Sequence, residues 1–258
     1  MIPKLFISIL PKVFLKKVID YVADQCGLLV FSKARFGNIL IATRLSKIIS
    51  EYKIDCILDV GANVGQYYYF LRNEVGYKGL IISFEPDPNN INMLKEKQKS
   101  DANWLIQDYA LGKENSPLAL NLMKSSLFNS FLKPDSNETK EFKDHNLIQE
   151  KVTVEVKRLD EVIDEFKKAR QFNNVFLKMD TQGFDLNVFE GATNCLNMIR
   201  GVQTEVSVTP IYKHMPTFDD SLRAFKSKGF EVSGIYSLGE NRFPHAIEFD
   251  CIYLPKSN

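Results

Sequence analysis

Five acidic residues, Asp59, Glu85, Asp108, Asp180 and Glu205, each stand at or beside the end of a short apolar run. The runs are CILDV, GLIISFE, NWLIQD, NVFLKMD and GVQTEV. Carboxylates so placed can accept hydroxyl hydrogens, attract a cationic ligand, coordinate a hard metal ion, or take up a proton. The first run leads into a Gly-rich turn, Gly61-Ala62-Asn63-Val64-Gly65-Gln66, which opens an aromatic-rich helical stretch. A phosphate, a dinucleotide and a sulfonium cofactor are the ligands to be weighed for such a turn.

A phosphate-binding P-loop needs Gly-Lys-Ser/Thr, and Gly65 is followed by Gln66 and Tyr67. A dinucleotide fingerprint starting at Gly61 needs glycine at positions 63 and 66, which are Asn63 and Gln66. What remains is Asp59-x-Gly61-x-Asn63-x-Gly65, in which the glycines allow close backbone approach and Asn63 tolerates left-handed geometry. Asp59 would repel a pyrophosphate and not a cation. S-adenosylmethionine, with a sulfonium, an ammonium and no phosphate, is such a ligand. Glu85 is placed to accept both ribose hydroxyl hydrogens, and Asp108 to meet the adenine amino group with Ala110 and Leu111 against the ring. The bland alternative is a plain turn followed by capping acids.

These residues need a scaffold that brings strand ends together. Short apolar runs alternating with helical segments read as a parallel sheet covered on both faces. Three of the four gaps between the acids suit one strand–helix unit each. The gap from Asp108 to Asp180 does not, and residues 112–172 read as an insertion on the sheet rim, with two extra strands and a helix. FEVSGIYSL and FDCIYLP read as an antiparallel pair near the end. The expected fold is α/β: a doubly wound, mostly parallel seven-stranded Rossmann-like sheet with a C-terminal antiparallel hairpin, its ligand at the carboxyl ends of the strands. Asp87 and Pro88 read as the cap and first residue of a helix. The polar stretch KPDSNETKEFKDHN reads as a loop.

Residues 1–50 read as a helical N-terminal extension, broken near Pro11 and Gly27, and residues 51–258 as the main domain. The extension reads as a packing or oligomer-forming element, in preference to a helix on a membrane surface with Lys4, Lys12, Lys16 and Lys17 toward headgroups. No run is long enough to span a bilayer. A net charge of +1 with no basic block gives a nucleic-acid partner no electrostatic support. Cys26, Cys56, Cys195 and Cys251 form no Cys-x-x-Cys pair, and a reducing cytoplasm is the expected compartment.

The segments ILDVGANVGQY, GLIISFEPDP, YALG, VKRLDEV, FLKMDTQGFDLNVFEGA, VQTEVSVTPIYKHMPTF, KGFEV and FDCIYLP resemble the FkbM-type family of S-adenosylmethionine-dependent methyltransferases, over roughly residues 55–254. Within FLKMDTQGFDLNVFEGA, Gln182 and Asp185 depart from the family's usual acidic residue and Glu. The resemblance implies O-methylation, often of sugars or secondary metabolites. KMDTQGF also stands where amine-methylating enzymes carry an Asn-Pro-Pro-Tyr-type loop, which favours a hydroxyl acceptor on a small molecule, sugar or glycan.

An alcohol must lose its proton to react, so a base or a metal ion is expected beside the transferring methyl. Asp180 and Glu205 are the candidates, either holding a Mg²⁺-like ion together or with one as base. His145, His214 and His245 are further candidates for the base: His214 and His245 lie in loops able to overhang the acceptor, whereas His145 reads as solvated. Tyr212 and Phe218 can wall the acceptor, and Ser125, Ser126 and Ser130 can form its lid. The rival functions are a non-catalytic S-adenosylmethionine-binding protein that kept the fold, and an NAD-type oxidoreductase, which Asn63 and Gln66 disfavour.

Overall fold

The computed structural model describes residues 21–23, 25–27, 30, 36–135, 140–237 and 246–256. The chain divides into two compact units, residues 1–40 and 41–258. In the first, residues 21–23 and 25 are helical, with a turn at Cys26–Gly27. Lys4, Lys12, Lys16, Lys17 and His245 lie outside the described residues. Among the described residues, no helix is long and apolar enough to cross a membrane.

In chain order the elements are α1 (Phe36–Glu51), β1 (Cys56–Val60), α2 (Gln66–Phe70) running into a π-helical turn, β2 (Leu80–Phe84), α3 (Pro88–Gln98), β3 (Trp104–Gln107) and β4 (Ala110–Leu111). Then come β5 (Leu118–Met123), a 3₁₀ turn at Ser126–Phe128, α4 (Lys140–Lys143), β6 (Ile148–Val154), β7 (Val156–Lys157) and α5 (Leu159–Arg170). The last are β8 (Val175–Met179), α6 (Asp185–Glu190), β9 (Ile199–Ser207), α7 (Phe218–Ser227), β10 (Phe230–Ser237) and β11 (Glu248–Pro255).

The main sheet has seven strands in the order β10-β11-β9-β8-β1-β2-β3. The five from β3 to β9 are parallel, and β11 and β10 add antiparallel. This is the doubly wound sheet with a C-terminal hairpin that the runs predict. Every residue of β1, β2 and β8 is buried, as continuous apolar runs require when helices cover both faces. Alternate residues feed two cores. Leu58, Ile82 and Leu177 face one, and Ile57, Ile81 and Phe176 the other. Trp104 belongs to the second core, stacked on Tyr68 with ring centroids 3.6 Å apart. The chain reverses its winding between β1 and β8, and the crevice beyond their carboxyl ends is where such sheets bind ligands.

The rim segment departs from the simple insertion. β5 pairs antiparallel with β6, and β4 pairs parallel with β7, both outside the main sheet. Helix α5, however, places Leu159 and Ile163 in the main core, so the stretch read as an insertion does not lie wholly on the rim. The polar stretch 133–146 is not wholly loop. It carries α4, and Phe142 is buried with Met123, Ile211 and Tyr212, an apolar anchor that local composition masks.

Candidate functional site

The Gly-rich turn is built by the ends of three strands. The amides of Gly61 and Ala62 both donate to the Phe84 carbonyl, at 3.0 and 3.1 Å, and Gly61, Asn63 and Gly65 all have positive φ. A Cβ on Gly61 would lie 2.0 Å from the carbonyl oxygen of Asp180. Glycine is therefore demanded there by the backbone after β8, not by a ligand alone. At Gly65 a Cβ would meet the Trp104 and Leu94 side chains at 3.1 and 3.2 Å.

Directly after β2, Glu85 is buried and holds the turn in place. Its Oε2 accepts from the Asn63 amide at 2.7 Å and its Oε1 from the Asp87 amide at 2.9 Å. Burial pushes its pKa up to about 7, against the opposing pull of these hydrogen bonds. Asp87 caps α3 as expected, accepting from the Asn89 amide at 2.9 Å, with Pro88 at the first helical position.

Between these elements and the segment after β5 lies a cleft, partly open to solvent. Gly61, Asn63, Glu85, Asp180 and Gln182 are among its lining residues, with Ala110 and Leu111 supplying apolar surface. Among the described residues, its charged lining is Glu85 and Asp180, with no Lys, Arg or His. Ala62, Gly65, Gln66, Asp59, Asp108, Glu205 and His214 do not line it. Asp108 points outward into an exposed ion pair with Lys95 at 2.9 Å. Gln66 is exposed and takes the Val64 amide at 3.2 Å.

Asp59 sits inside β1 rather than at its end, fully buried. It stands in cross-strand register with Ser83 of β2 and Lys178 of β8. Lys178 Nζ is 3.2 Å from Asp59 Oδ1, and Ser83 Oγ donates to Asp59 Oδ2 at 3.1 Å. The indole Nε1 of Trp104 donates to Ser83 Oγ at 2.9 Å, completing a buried polar chain. Lys178 also lies 3.6 Å from Asp180 Oδ2 and 5.0 Å from the Tyr67 ring centroid. Burial pulls the lysine's pKa down, but Asp59 and Asp180 outweigh it and hold the ammonium above its ordinary value.

The structure brings Asp180 and Glu205 together through a third residue. The Gln182 carboxamide Nε2 is 3.1 Å from Asp180 Oδ1 and 3.3 Å from Glu205 Oε2. Its Oε1 is 3.1 Å from the Tyr212 hydroxyl, and its backbone is left-handed, with φ of 51°. Glu205 is inside β9; burial and the charges of Asp180, Glu248, Asp250 and Asp185 push its pKa well above the carboxylate range. Among the described residues, no group of three or more His, Cys, Asp or Glu is arranged to hold a metal ion.

His214 is exposed in the loop after β9, and His145 is exposed and stacked on Phe128. Phe218 packs against the main core, whereas Tyr212 is buried beside Gln182. Ser126 and Ser130 line the cleft, and Ser125 does not. Sequence reading missed Lys178, Asn129 and the bridging role of Gln182. The signal for Lys178 was available: a charged residue within FLKM, a run otherwise apolar enough to be buried on both faces.

No curated protein sequence matches the chain. Among solved structures, a methyltransferase FkbM from Methylobacillus flagellatus KT is similar, at 16% identity and TM-score 0.49, over 78% of this chain and 43% of that one. The chain therefore spans less than half the length of that protein. An Aeropyrum pernix fibrillarin with natively bound S-adenosyl-L-methionine is similar at 11% identity and TM-score 0.44, over 78% of this chain and 66% of that one. A magnesium protoporphyrin IX methyltransferase from Synechocystis PCC 6803 with bound SAM is similar at 10% identity and TM-score 0.43, over 87% of this chain and 82% of that one. The model of the methyltransferase FkbM domain matches residues 59–232, from the acid of β1 into β10 and so across the cleft and both of its carboxylates. With more than half of its length matched, the chain belongs to the methyltransferase FkbM domain family.

Proposed function

We propose that residues 51–258 are an S-adenosylmethionine-dependent methyltransferase domain that methylates a hydroxyl of a small molecule, sugar or glycan. The observation that carries the cofactor reading is the charge of the cleft. Among the described residues its lining offers two carboxylates, Glu85 and Asp180, and no cationic side chain. That set suits a ligand with hydroxyl donors and a positive centre, and opposes one with phosphates. Glu85 retains acceptor capacity on both oxygens beyond the two amides it already binds, which fits a ribose diol. Ala110 and Leu111 supply apolar surface for an adenine ring.

When bound, the cofactor supplies a methyl group already activated on a sulfonium. The chain's own residues then have to align the acceptor and relieve it of a proton. Asp180 is the base in this reading, since it is the cleft carboxylate left free by the assignment of Glu85 to the ribose. Gln182 Nε2 fixes its Oδ1, and the Lys178 ammonium faces its Oδ2. Glu205 is held by the same carboxamide and steadies it without lining the cleft.

The test is calorimetric titration with S-adenosylhomocysteine and with NAD, followed by methyl transfer from labelled cofactor to a library of alcohols and amines. Binding of S-adenosylhomocysteine alone, with label in alcohols, is the expected result. Preference for NAD would overturn the cofactor assignment. Label found only in amines would overturn the hydroxyl acceptor, and binding without transfer to any acceptor would favour a non-catalytic binder.

A further inference from the structure

Tyr212, in the loop after β9, is fixed along both its backbone and its ring. The backbone bridges antiparallel to Pro134, with the Asp135 amide donating to the Ile211 carbonyl at 2.9 Å and the Lys213 amide to the Lys133 carbonyl at 2.8 Å. The ring is buried with Met123, Phe142, Ile211 and Met215. This rigid mount delivers a phenolic hydroxyl to Gln182. The hydroxyl lies 3.1 Å from Gln182 Oε1 and 2.8 Å from the Phe128 carbonyl, its hydrogen facing both oxygens in a three-centre arrangement.

Gln182 needs such a hold. Rotatable bonds separate its carboxamide from the backbone, so freedom at one end of the amide costs aim at the other. The backbone end is pinned: φ is 51°, and the carbonyl accepts from Ser130 Oγ at 2.7 Å. At the other end Nε2 spans Asp180 Oδ1 and Glu205 Oε2, at 3.1 and 3.3 Å. The N and O ends of a carboxamide have nearly the same shape, so a donor at Oε1 helps select which end meets the carboxylates. Tyr212 supplies that donor.

We propose that Tyr212 is a positioning residue for the base: acting through Gln182, its hydroxyl keeps an amide donor on Asp180 Oδ1. This rests on the reading of Asp180 as the base that takes the acceptor's proton. A hydrogen bond donated to the ionised form of a carboxylate favours that form, so loss of the phenol makes Asp180 harder to ionise and less well aimed. Other charged groups face the Asp180–Glu205 pair: Lys178 of β8, with Asp59 of β1 behind it, Asp185 of α6, and Glu248 and Asp250 of β11. All of them stay in place when the phenolic hydroxyl alone is removed.

The experiment is an NMR pH titration of the full chain, isotopically labelled at its aspartate carboxyl carbons, with the Asp180 signal identified by its loss in Asp180→Asn. Gln182→Met should move the Asp180 midpoint to higher pH by about one unit, the scale of one hydrogen bond to a charged group. Tyr212→Phe, which keeps the ring, should move it the same way by about half as much or more, and the double variant no further than Gln182→Met alone. Ile211→Val thins the apolar cluster without touching the hydroxyl; it should lower Tm and leave the midpoint in place. An unmoved midpoint in Tyr212→Phe, or a shift that adds in full to that of Gln182→Met, would overturn the positioning role. An equal shift in Ile211→Val would reduce that role to packing. Near-normal methyl transfer by Asp180→Asn, to the alcohols that the unmodified protein labels, would overturn the reading of Asp180 as the base; with the Tyr212→Phe shift present, Tyr212 would then orient a structural carboxylate.

Discussion

Lys178 Nζ lies 3.2 Å from Asp59 Oδ1, on adjacent parallel strands and in direct cross-strand register. Both side chains are buried, so neither charge has water to fall back on. Removing one partner leaves the other uncompensated, at a cost of about 3–5 kcal/mol. Lys178→Met should therefore lower the unfolding free energy by about that amount in urea titration. Adding Asp59→Asn should recover most of it, because the interaction energy of contacting residues appears as non-additivity. Additive losses would show that the pair is not energetically coupled.

Glu85→Gln should weaken S-adenosylhomocysteine binding by about 1.5–3 kcal/mol, because charge-assisted hydrogen bonds to the ribose are replaced by weaker ones. The turn should persist, since one amide donor can still be accommodated. Calorimetry showing unchanged affinity would remove Glu85 from the cofactor site.

The same residue predicts a pH dependence. Burial raises Glu85 to about 7, well above the ordinary carboxylate value of about 4.3 in an unfolded chain. Between those values the native state keeps a proton that the unfolded state has released, so stability falls as pH rises through the window. Asp185 and Asp250, each raised by burial to about 6, act with the same sign. The carboxylates held below their usual range, such as Asp220 at about 2, ionise at lower pH and do not oppose this. Thermal unfolding should show a higher Tm near pH 5.5 than near pH 8. Hydroxyl donors favour the ionised Glu85, so S-adenosylhomocysteine affinity should rise from pH 6 and level above about 7, and this slope should vanish in Glu85→Gln.

Gly61→Ala tests the turn rather than the ligand. Its φ of 80° and a Cβ only 2.0 Å from the Asp180 carbonyl oxygen force the strand ends apart. A loss of at least about 2 kcal/mol of stability is expected from chemical denaturation, together with weaker cofactor binding. A variant of unchanged stability would show that the two backbones separate freely.

Asp180→Asn keeps shape and removes charge. Turnover on a hydroxyl acceptor should fall about 10²-fold or more, with S-adenosylhomocysteine affinity altered by less than about 1 kcal/mol. Near-normal turnover would leave Asp180 as a structural residue at the end of β8.

The sheet was legible because each buried parallel strand is a continuous apolar run, and Glu85 and Asp180 follow β2 and β8 directly. Asp59 and Glu205 misled for a specific reason. An acid near the end of a run looks like a strand terminus, but Val60 pairs with Phe84 and Met179, and Val206 pairs with Phe249, so both strands continue past the acid. The partner that lets Asp59 be buried, Lys178, is 119 residues away, and no local pattern announces the pairing. The contact between Ser126 and Asn63 was hidden likewise. Ser126 reaches Asn63 across 63 residues of chain, and SSLFNSF by itself is an ordinary polar loop. His214 illustrates the converse: a reactive residue type in a plausible loop, which folding leaves on the surface.

Trp104 is the chain's single tryptophan. Its indole terminates the polar chain through Ser83 to Asp59, and its ring is stacked flat on Tyr68. The protein thus carries a built-in optical probe at the far end of its buried ion pair. Native emission should be blue-shifted, and any change at Asp59 or Lys178 should alter its intensity without an attached label, so the electrostatic interior can be followed by eye of a fluorimeter while the cleft is titrated.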